Sequence, residues 1–304
     1  MVYTRDSIPD LSGLVAVVTG ANGGLGFETA KALTAKGARV VMAVRDQEKA
    51  ATAVGRIREE TPDASLEVVE LDLGSQASAM RAAHEIAERH PSIDILVNNA
   101  GVMASPEGRT IDGFETQLGI DHLGHWTFTA LLLPSLLAAP AARVVTVSST
   151  AHHFGRAIDP AKPYPPGRYQ AWLAYGSAKL ANYHFGLGLH ERFAAAGVRA
   201  KSLIAHPGLS HSDLQTRTVR EGGGGRLAPF FARAAASTGM DPAEGAMPQI
   251  RAATDPAAKS GEFYGPRFVN NGRAVRLPLL RPGRRRAIAG LWEFSERETG
   301  IPIL

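Results

Sequence analysis

The feature that most restricts this chain is a short apolar run, residues 14–19, that breaks directly into Thr19-Gly20-Ala21-Asn22-Gly23-Gly24-Leu25-Gly26 and then into a helical pattern. Gly20 permits a tight turn out of a strand, Gly24 lets the backbone approach a phosphate, and Gly26 lets the following helix pack close to a sheet. The N-terminus of that helix offers unpaired N–H groups and positive partial charge to an anion. A glycine triplet alone is a weak signal. One that leaves the first strand, opens a helix and begins a βαβ unit predicts a dinucleotide-phosphate cradle. Asn22 and Leu25 fall within the same turn and join it as candidate contacts.

The pattern behind the turn repeats. Strands are predicted at residues 14–19, 39–44, 66–71, 93–98, 143–148 and 200–205, with a short seventh at 262–265. Most are continuous apolar runs, as strands covered on both faces must be. Helical patterns fall between them at 26–36, 48–60, 75–89 and 175–196. The alternation predicts an α/β, Rossmann-type doubly wound fold: a mainly parallel seven-stranded sheet with helices on both faces. With 304 residues, 44% of them hydrophobic, the chain has material for a sizeable core. The reading is one domain, 1–304. Two stretches interrupt it: a Pro- and Gly-rich inserted loop at 155–173, and a segment at 210–240 holding four consecutive glycines, Gly222 to Gly225. Long loops of this kind serve as lids or binding loops, and 210–240 is predicted to be a mobile substrate-binding segment. Its Leu227, Phe230, Phe231 and Met240 suit an apolar substrate.

Ligands of open α/β sheets bind at the carboxyl ends of the strands, so the residues just past each run matter most. An acidic residue ending the second strand would accept from the ribose 2′-hydroxyl of NAD. Here Val44 is followed by Arg45, and a guanidinium suits the 2′-phosphate of NADP. NADP is therefore favoured over NAD. Asp72 and Leu73 end the third strand and suit an adenine pocket. Asn98, Ala100 and Gly101 end the fourth, where small residues admit a flat cofactor; the Asn side chains either touch it or tie neighbouring strands.

Tyr175 and Lys179 lie four apart on a predicted helix and so share a face. A free phenol has a pKa of ~10, and a neighbouring ammonium lowers it. The pair then works as an acid/base near neutral pH. Tyr-x-x-x-Lys is common on its own. It gains weight from following the fifth strand, whose end carries Ser148 and Ser149, where a hydroxyl polarises a substrate carbonyl.

Taken together, the glycines at 20, 24 and 26, residues 98–101, Ser149, the Tyr175/Lys179 pair and His206-Pro207-Gly208 resemble, in order and over nearly the whole chain, the short-chain dehydrogenase/reductase family. Asp121-His122-Leu123-Gly124-His125, Ser148-Ser149-Thr150-Ala151-His152, Leu291-Trp292-Glu293-Phe294-Ser295 and the insertion before Tyr175 are similar to its retinol-dehydrogenase-like branch. The resemblance implies carbonyl–alcohol interconversion by hydride transfer, with Tyr175 as acid/base and Ser149 as the catalytic serine. It implies that Lys179 also holds the nicotinamide ribose. It places Pro207, Gly208 and Ser212 at the nicotinamide carboxamide, with Ser212 where Thr is usual. Asp121 stands where the family has an Asn that holds a water in a proton relay. An ionised Asp121 there raises the pKa of Tyr175 or Lys179. The alternative reading is a nicotinamide-binding regulator with little turnover, favoured only by Asp121. Dimers and tetramers built through helices are usual in the family, so a homodimer or homotetramer is implied, although the insertion before Tyr175 sits where it can block that surface.

Composition removes other classes. There is no cysteine, which excludes disulfides and thiolate metal sites. His122, His125, His152 and His153 gather no Cys or carboxylate partners and are read as packing or loop residues, with no metal. The formal charge of +4 owes much to Arg281, Arg284, Arg285 and Arg286, too small a patch to predict nucleic-acid binding. Residues 1–12 have no signal-peptide core, and no uncharged apolar run reaches the ~18 residues of a membrane helix. The run 126–142 is broken by Pro134 and Pro140 and reads as a buried or interface helix. A cytoplasmic location is expected. Branch members often carry a membrane anchor, and its absence here argues against membrane-dissolved retinol as the natural substrate.

Overall fold

The computed structural model describes residues 2–163, 167–210, 239–280 and 284–304. Strands β1 (Val15–Thr19), β2 (Arg39–Val44), β3 (Leu66–Glu70), β4 (Ile95–Asn98), β5 (Arg143–Val147), β6 (Lys201–Ala205), β7 (Phe263–Pro266) and β8 (Ala274–Leu277) form one sheet in the order β3-β2-β1-β4-β5-β6-β7-β8. The first seven run parallel and β8 pairs antiparallel with β7. The sheet therefore has eight strands, not seven. β8 adds a hairpin edge that closes beyond β7.

Period-two alternation divides the core into two. Val17, Val41, Leu96 and Val144 point to one face, and Ala16, Val18, Val40, Met42, Val97 and Val145 to the other. The second face is covered by α1 (Gly24–Thr34), α2 (Gln47–Glu60) and, near the C-terminus, Met247–Thr254. The first is covered by α3 (Gln76–Arg89), by α5 (Gly124–Ala138), which follows the single turn α4 (Thr116–Leu118), and by α6 (Ala171–Ala195). Two more helices, α7 (Pro242–Gly245) and α8 (Met247–Thr254), precede β7, and α9 (Arg284–Thr299) ends the described elements.

Local chemistry fixes the helix starts. The side chain of Asp46 caps α2 by accepting from Lys49 N–H at 3.0 Å, and Ser75 caps α3 by accepting from Ser78 N–H at 3.2 Å. α5 accommodates Pro134 and stops at Ala138, with extended Ala139 preceding Pro140. Trp126, Phe128 and Leu132 on it are buried in the core. α6 begins one turn earlier than its pattern suggests. Its approach is pinned by Tyr169, whose hydroxyl donates to Glu115 Oε1 at 3.0 Å and accepts from Gln117 Nε2 at 2.7 Å. Among the described residues no helix is long and apolar enough to cross a membrane.

Candidate active site

A crevice of ≈ 440 Å³ opens over the carboxyl ends of β1 to β6. One wall is the β1–α1 turn, where Gly20 and Gly24 have φ of +68° and +50°. A Cβ on Gly26 would lie 2.3 Å from the Gly20 carbonyl oxygen, so only glycine closes this turn. Asn22 and Leu25 line the crevice with the glycines. Arg45 projects into it from the end of β2, exposed, beside the Asp46–Lys49 pair. Asp72 and Leu73 line it from β3; the Asp72 carboxylate accepts its own loop's Gly74 N–H at 2.9 Å.

The floor is formed by Ala100 and Gly101 after β4. Asn98, one residue earlier, points into the interior, where it donates to Thr129 Oγ1 at 2.8 Å and is 1% exposed. Of the two roles open to it, it takes the tie between elements. Asn99 is the one that lines the crevice; its Nδ2 donates to the Thr19 carbonyl at 2.8 Å. Pro207 lines the far end, whereas Gly208, with φ +69°, packs against the Asn270 carbonyl in the β7–β8 turn. Ser212, Gly222 to Gly225, Leu227, Phe230, Phe231 and Arg281 lie outside the described residues.

Three elements deliver the polar groups. Tyr175 and Lys179 come one turn apart from α6, 6% and 5% exposed, with Lys179 Nζ 5.7 Å from the Tyr175 ring centre. Ser149, at the end of β5, hydrogen-bonds Tyr175 and caps the short turn Thr150–His153. Ser148, named in the sequence beside Ser149 but given no role of its own, lines the crevice and donates to the Lys179 carbonyl at 2.7 Å, tying β5 to α6. Asp121 sits in a single π-turn, Gly119–Leu123, between α4 and α5. It is fully buried, accepts from Val102 N–H at 2.7 Å, and places Oδ2 3.0 Å from Lys179 Nζ. π-turns recur at functional sites because they displace one residue from the helical ladder.

Charge and burial compete here. Burial pushes the Tyr175 phenol upward, Lys179 and the Ser149 hydrogen bond pull it down, Asp121 pushes it up again, and the net direction is up. Lys179 lowers the phenol as expected, but loss of water outweighs it, so the net direction differs from the one the pair alone predicts. Burial disfavours the Lys179 ammonium, but Asp121 and Tyr175 more than restore it, and its pKa rises. Burial raises the Asp121 carboxyl against the pull of Lys179 and Val102 N–H. Among the described residues no three metal-type side chains gather.

Sheet order, glycine turn and crevice together define a Rossmann-type dinucleotide-binding protein. The family model of short chain dehydrogenases matches residues 14–221. Retinol dehydrogenase 12 of Homo sapiens is 43% identical over 204 residues, 67% of this chain and 64% of that protein, so this chain matches less than two thirds of that relative. The crystal structure of an uncharacterized protein from Mycobacterium paratuberculosis is 38% identical, with a TM-score of 0.78 over 100% of both chains. The Pseudomonas aeruginosa RhlG/NADP active-site complex is 27% identical, with a TM-score of 0.65 over 84% of this chain and 95% of that one. The chain belongs to the short-chain dehydrogenase/reductase family and is retinol-dehydrogenase-like within it; it is an oxidoreductase of the class that acts on CH–OH donors.

Proposed function

We propose that the chain is an NADP(H)-dependent oxidoreductase that interconverts a carbonyl and an alcohol on an apolar small molecule, with Tyr175 as the acid/base. The observation that carries this reading is the convergence of Ser149, Tyr175 and Lys179 from β5 and α6, with Tyr175 and Lys179 lining the same crevice as the glycine turn. A nicotinamide dinucleotide suits the residues present. Side-chain-free backbone at Gly20, Gly23, Gly24 and Gly26 suits a pyrophosphate, and the small Ala100–Gly101 floor suits a flat ring. When bound, the nicotinamide gives or takes the hydride. Ser149 and Tyr175 hydroxyls hold the substrate oxygen. Tyr175, kept protonated by burial, donates its proton to that oxygen in reduction and recovers it in alcohol oxidation. The Lys179 ammonium stabilises the phenolate left behind, and Asp121, itself anchored by Val102 N–H, holds Lys179 in place.

NADP is supported by the exposed guanidinium of Arg45 in the crevice wall and by the NADP named in the RhlG complex. An apolar substrate is supported by the named activity of the human relative on retinol, and by Trp172, whose ring stands edge-on to Tyr175 with centroids 6.2 Å apart. The test is a panel of ketones, aldehydes and alcohols read by NADPH absorbance with NADH in parallel. Turnover with NADPH preferred is the expected outcome, and Arg45→Ala weakens NADPH about tenfold or more while leaving NADH nearly unaffected. A preference for NADH that Arg45→Ala does not alter contradicts the cofactor assignment.

A further inference from the structure

Both polar ends of Asp121 are in use. Its carboxylate holds Val102 N–H at 2.7 Å and Lys179 at 3.0 Å, while its main-chain carbonyl lies 3.0 Å from His125 Nδ1. A carbonyl only accepts, so Nδ1 carries the ring proton. His125 is 2% exposed, and burial brings its pKa down to about 4, so near neutral pH its Nε2 bears no hydrogen. That bare nitrogen is 2.9 Å from Thr19 Oγ1 and accepts the threonine's hydrogen. The lone pairs of Thr19 are thereby turned to the N–H groups of Asn99 and Ala100, each 2.9 Å away. The loop 99–102 is thus fastened at both ends, by Thr19 at 99 and 100 and by Asp121 at 102, and His125 touches both fasteners. The loop has little slack: a Cβ on Gly101 would stand 3.0 Å from Asp121 Oδ1 and 3.0 Å from Lys179 Nζ.

We propose that His125 is a positioning residue that keeps Thr19 and Asp121 in register. The Ala100–Gly101 floor then lies at the depth a nicotinamide dinucleotide needs while Lys179 stays beside Tyr175. The inference rests on the nicotinamide reading of the crevice. It assigns a role to a buried histidine that packing alone would otherwise explain, and packing makes a different prediction.

The full chain and the variants His125→Leu, Thr19→Val, Thr19→Ser and the double variant His125→Leu/Thr19→Val are titrated with NADPH, without substrate, by fluorescence. Thermal melts and kcat at saturating NADPH are measured alongside. His125→Leu and Thr19→Val each weaken NADPH about tenfold and lower kcat, because small misplacements at a reacting centre are costly. The double variant is no worse than the weaker single, as two members of one network require. Thr19→Ser, which keeps the hydroxyl, recovers most of the loss. His125→Leu with the parent's NADPH affinity and kcat overturns the proposal even if it melts earlier, since that is what packing alone gives. If His125→Leu does not fold, Thr19→Val binding NADPH as tightly as Thr19→Ser overturns it. A parent chain that binds NADPH but reduces no carbonyl defeats the catalytic reading and leaves these affinities to decide this one.

Discussion

Two charges of opposite sign act on Tyr175, Lys179 one turn along α6 and Asp121 from the π-turn, and the balance between them helps set the pH at which it works. Lys179 favours the phenolate, and Asp121 opposes it from behind while raising Lys179 as well. Asp121→Asn removes the negative charge and keeps the shape, so the pKa values of both Tyr175 and Lys179 fall. In the direction of alcohol oxidation, where the phenolate takes the proton, the acidic limb of the kcat–pH profile then moves to lower pH, and turnover near neutral pH rises. Superimposable profiles for Asp121→Asn and the parent would show that Asp121 has no electrostatic hold on the site. Sequence alone named this residue through the family pattern and gave the sign of the Lys179 effect. It could not give the outcome at Tyr175, because the desolvation that outweighs the ammonium arises only when α6 is packed against β5 and the π-turn.

The β1–α1 turn shows the element scale at its most legible. The glycines at 20, 24 and 26 were assigned separate tasks from their order after a strand, and the contact at Gly26 bears the third out: a methyl group there would strike the Gly20 carbonyl at 2.3 Å. Gly26→Ala should cost about 1–3 kcal/mol as the turn deforms to admit it. It should also weaken NADPH binding, seen as a lower Tm and a higher Kd; a variant matching the parent in both would contradict the tight-turn account. Strands β1 to β7 were readable mostly because buried parallel strands are nearly unbroken apolar runs, although β3, Leu66-Glu67-Val68-Val69-Glu70, is neither fully apolar nor fully buried. β8 was not: Ala274–Leu277 is four residues long, with Arg276 exposed on the edge. The signal that points to it is Asn270-Asn271-Gly272, a turn sequence behind β7. Asn98 and Asn99 were ambiguous for a related reason. Neighbours at a strand end face opposite ways, and only the neighbouring elements, α5 on one side and Thr19 on the other, reveal which looks into the crevice.

At the scale of the molecule, His122, His125 and His206 are buried as neutral rings. Burial lowers His122 and His206 to about 3 and His125 to about 4, from an ordinary value of 6.5. A depressed folded pKa gives stability that is present above the unfolded value and is lost as pH falls toward the folded one. Each of these rings therefore removes about 1 kcal/mol between pH 7.5 and 5.5. The raised carboxyls of Glu115 and Asp121 oppose this trend. The expected result is a Tm clearly lower at pH 5.5 than at pH 7.5; an unchanged or higher Tm at pH 5.5 would contradict the burial of neutral rings. The positions of these histidines along the chain did not disclose their burial. His122 lies among Trp126, Phe185 and Ser295, brought from three separate helices.

The claim on which the account turns is that the fold gathers a hydroxyl, a phenol and an ammonium at one crevice, and that the phenol moves the proton. Tyr175→Phe deletes one oxygen and leaves the crevice walls intact. With a carbonyl substrate identified from the panel, this variant should bind NADPH with the parent's affinity and lose turnover by about a thousandfold. Turnover within a few fold of the parent, with NADPH still bound, would contradict the account.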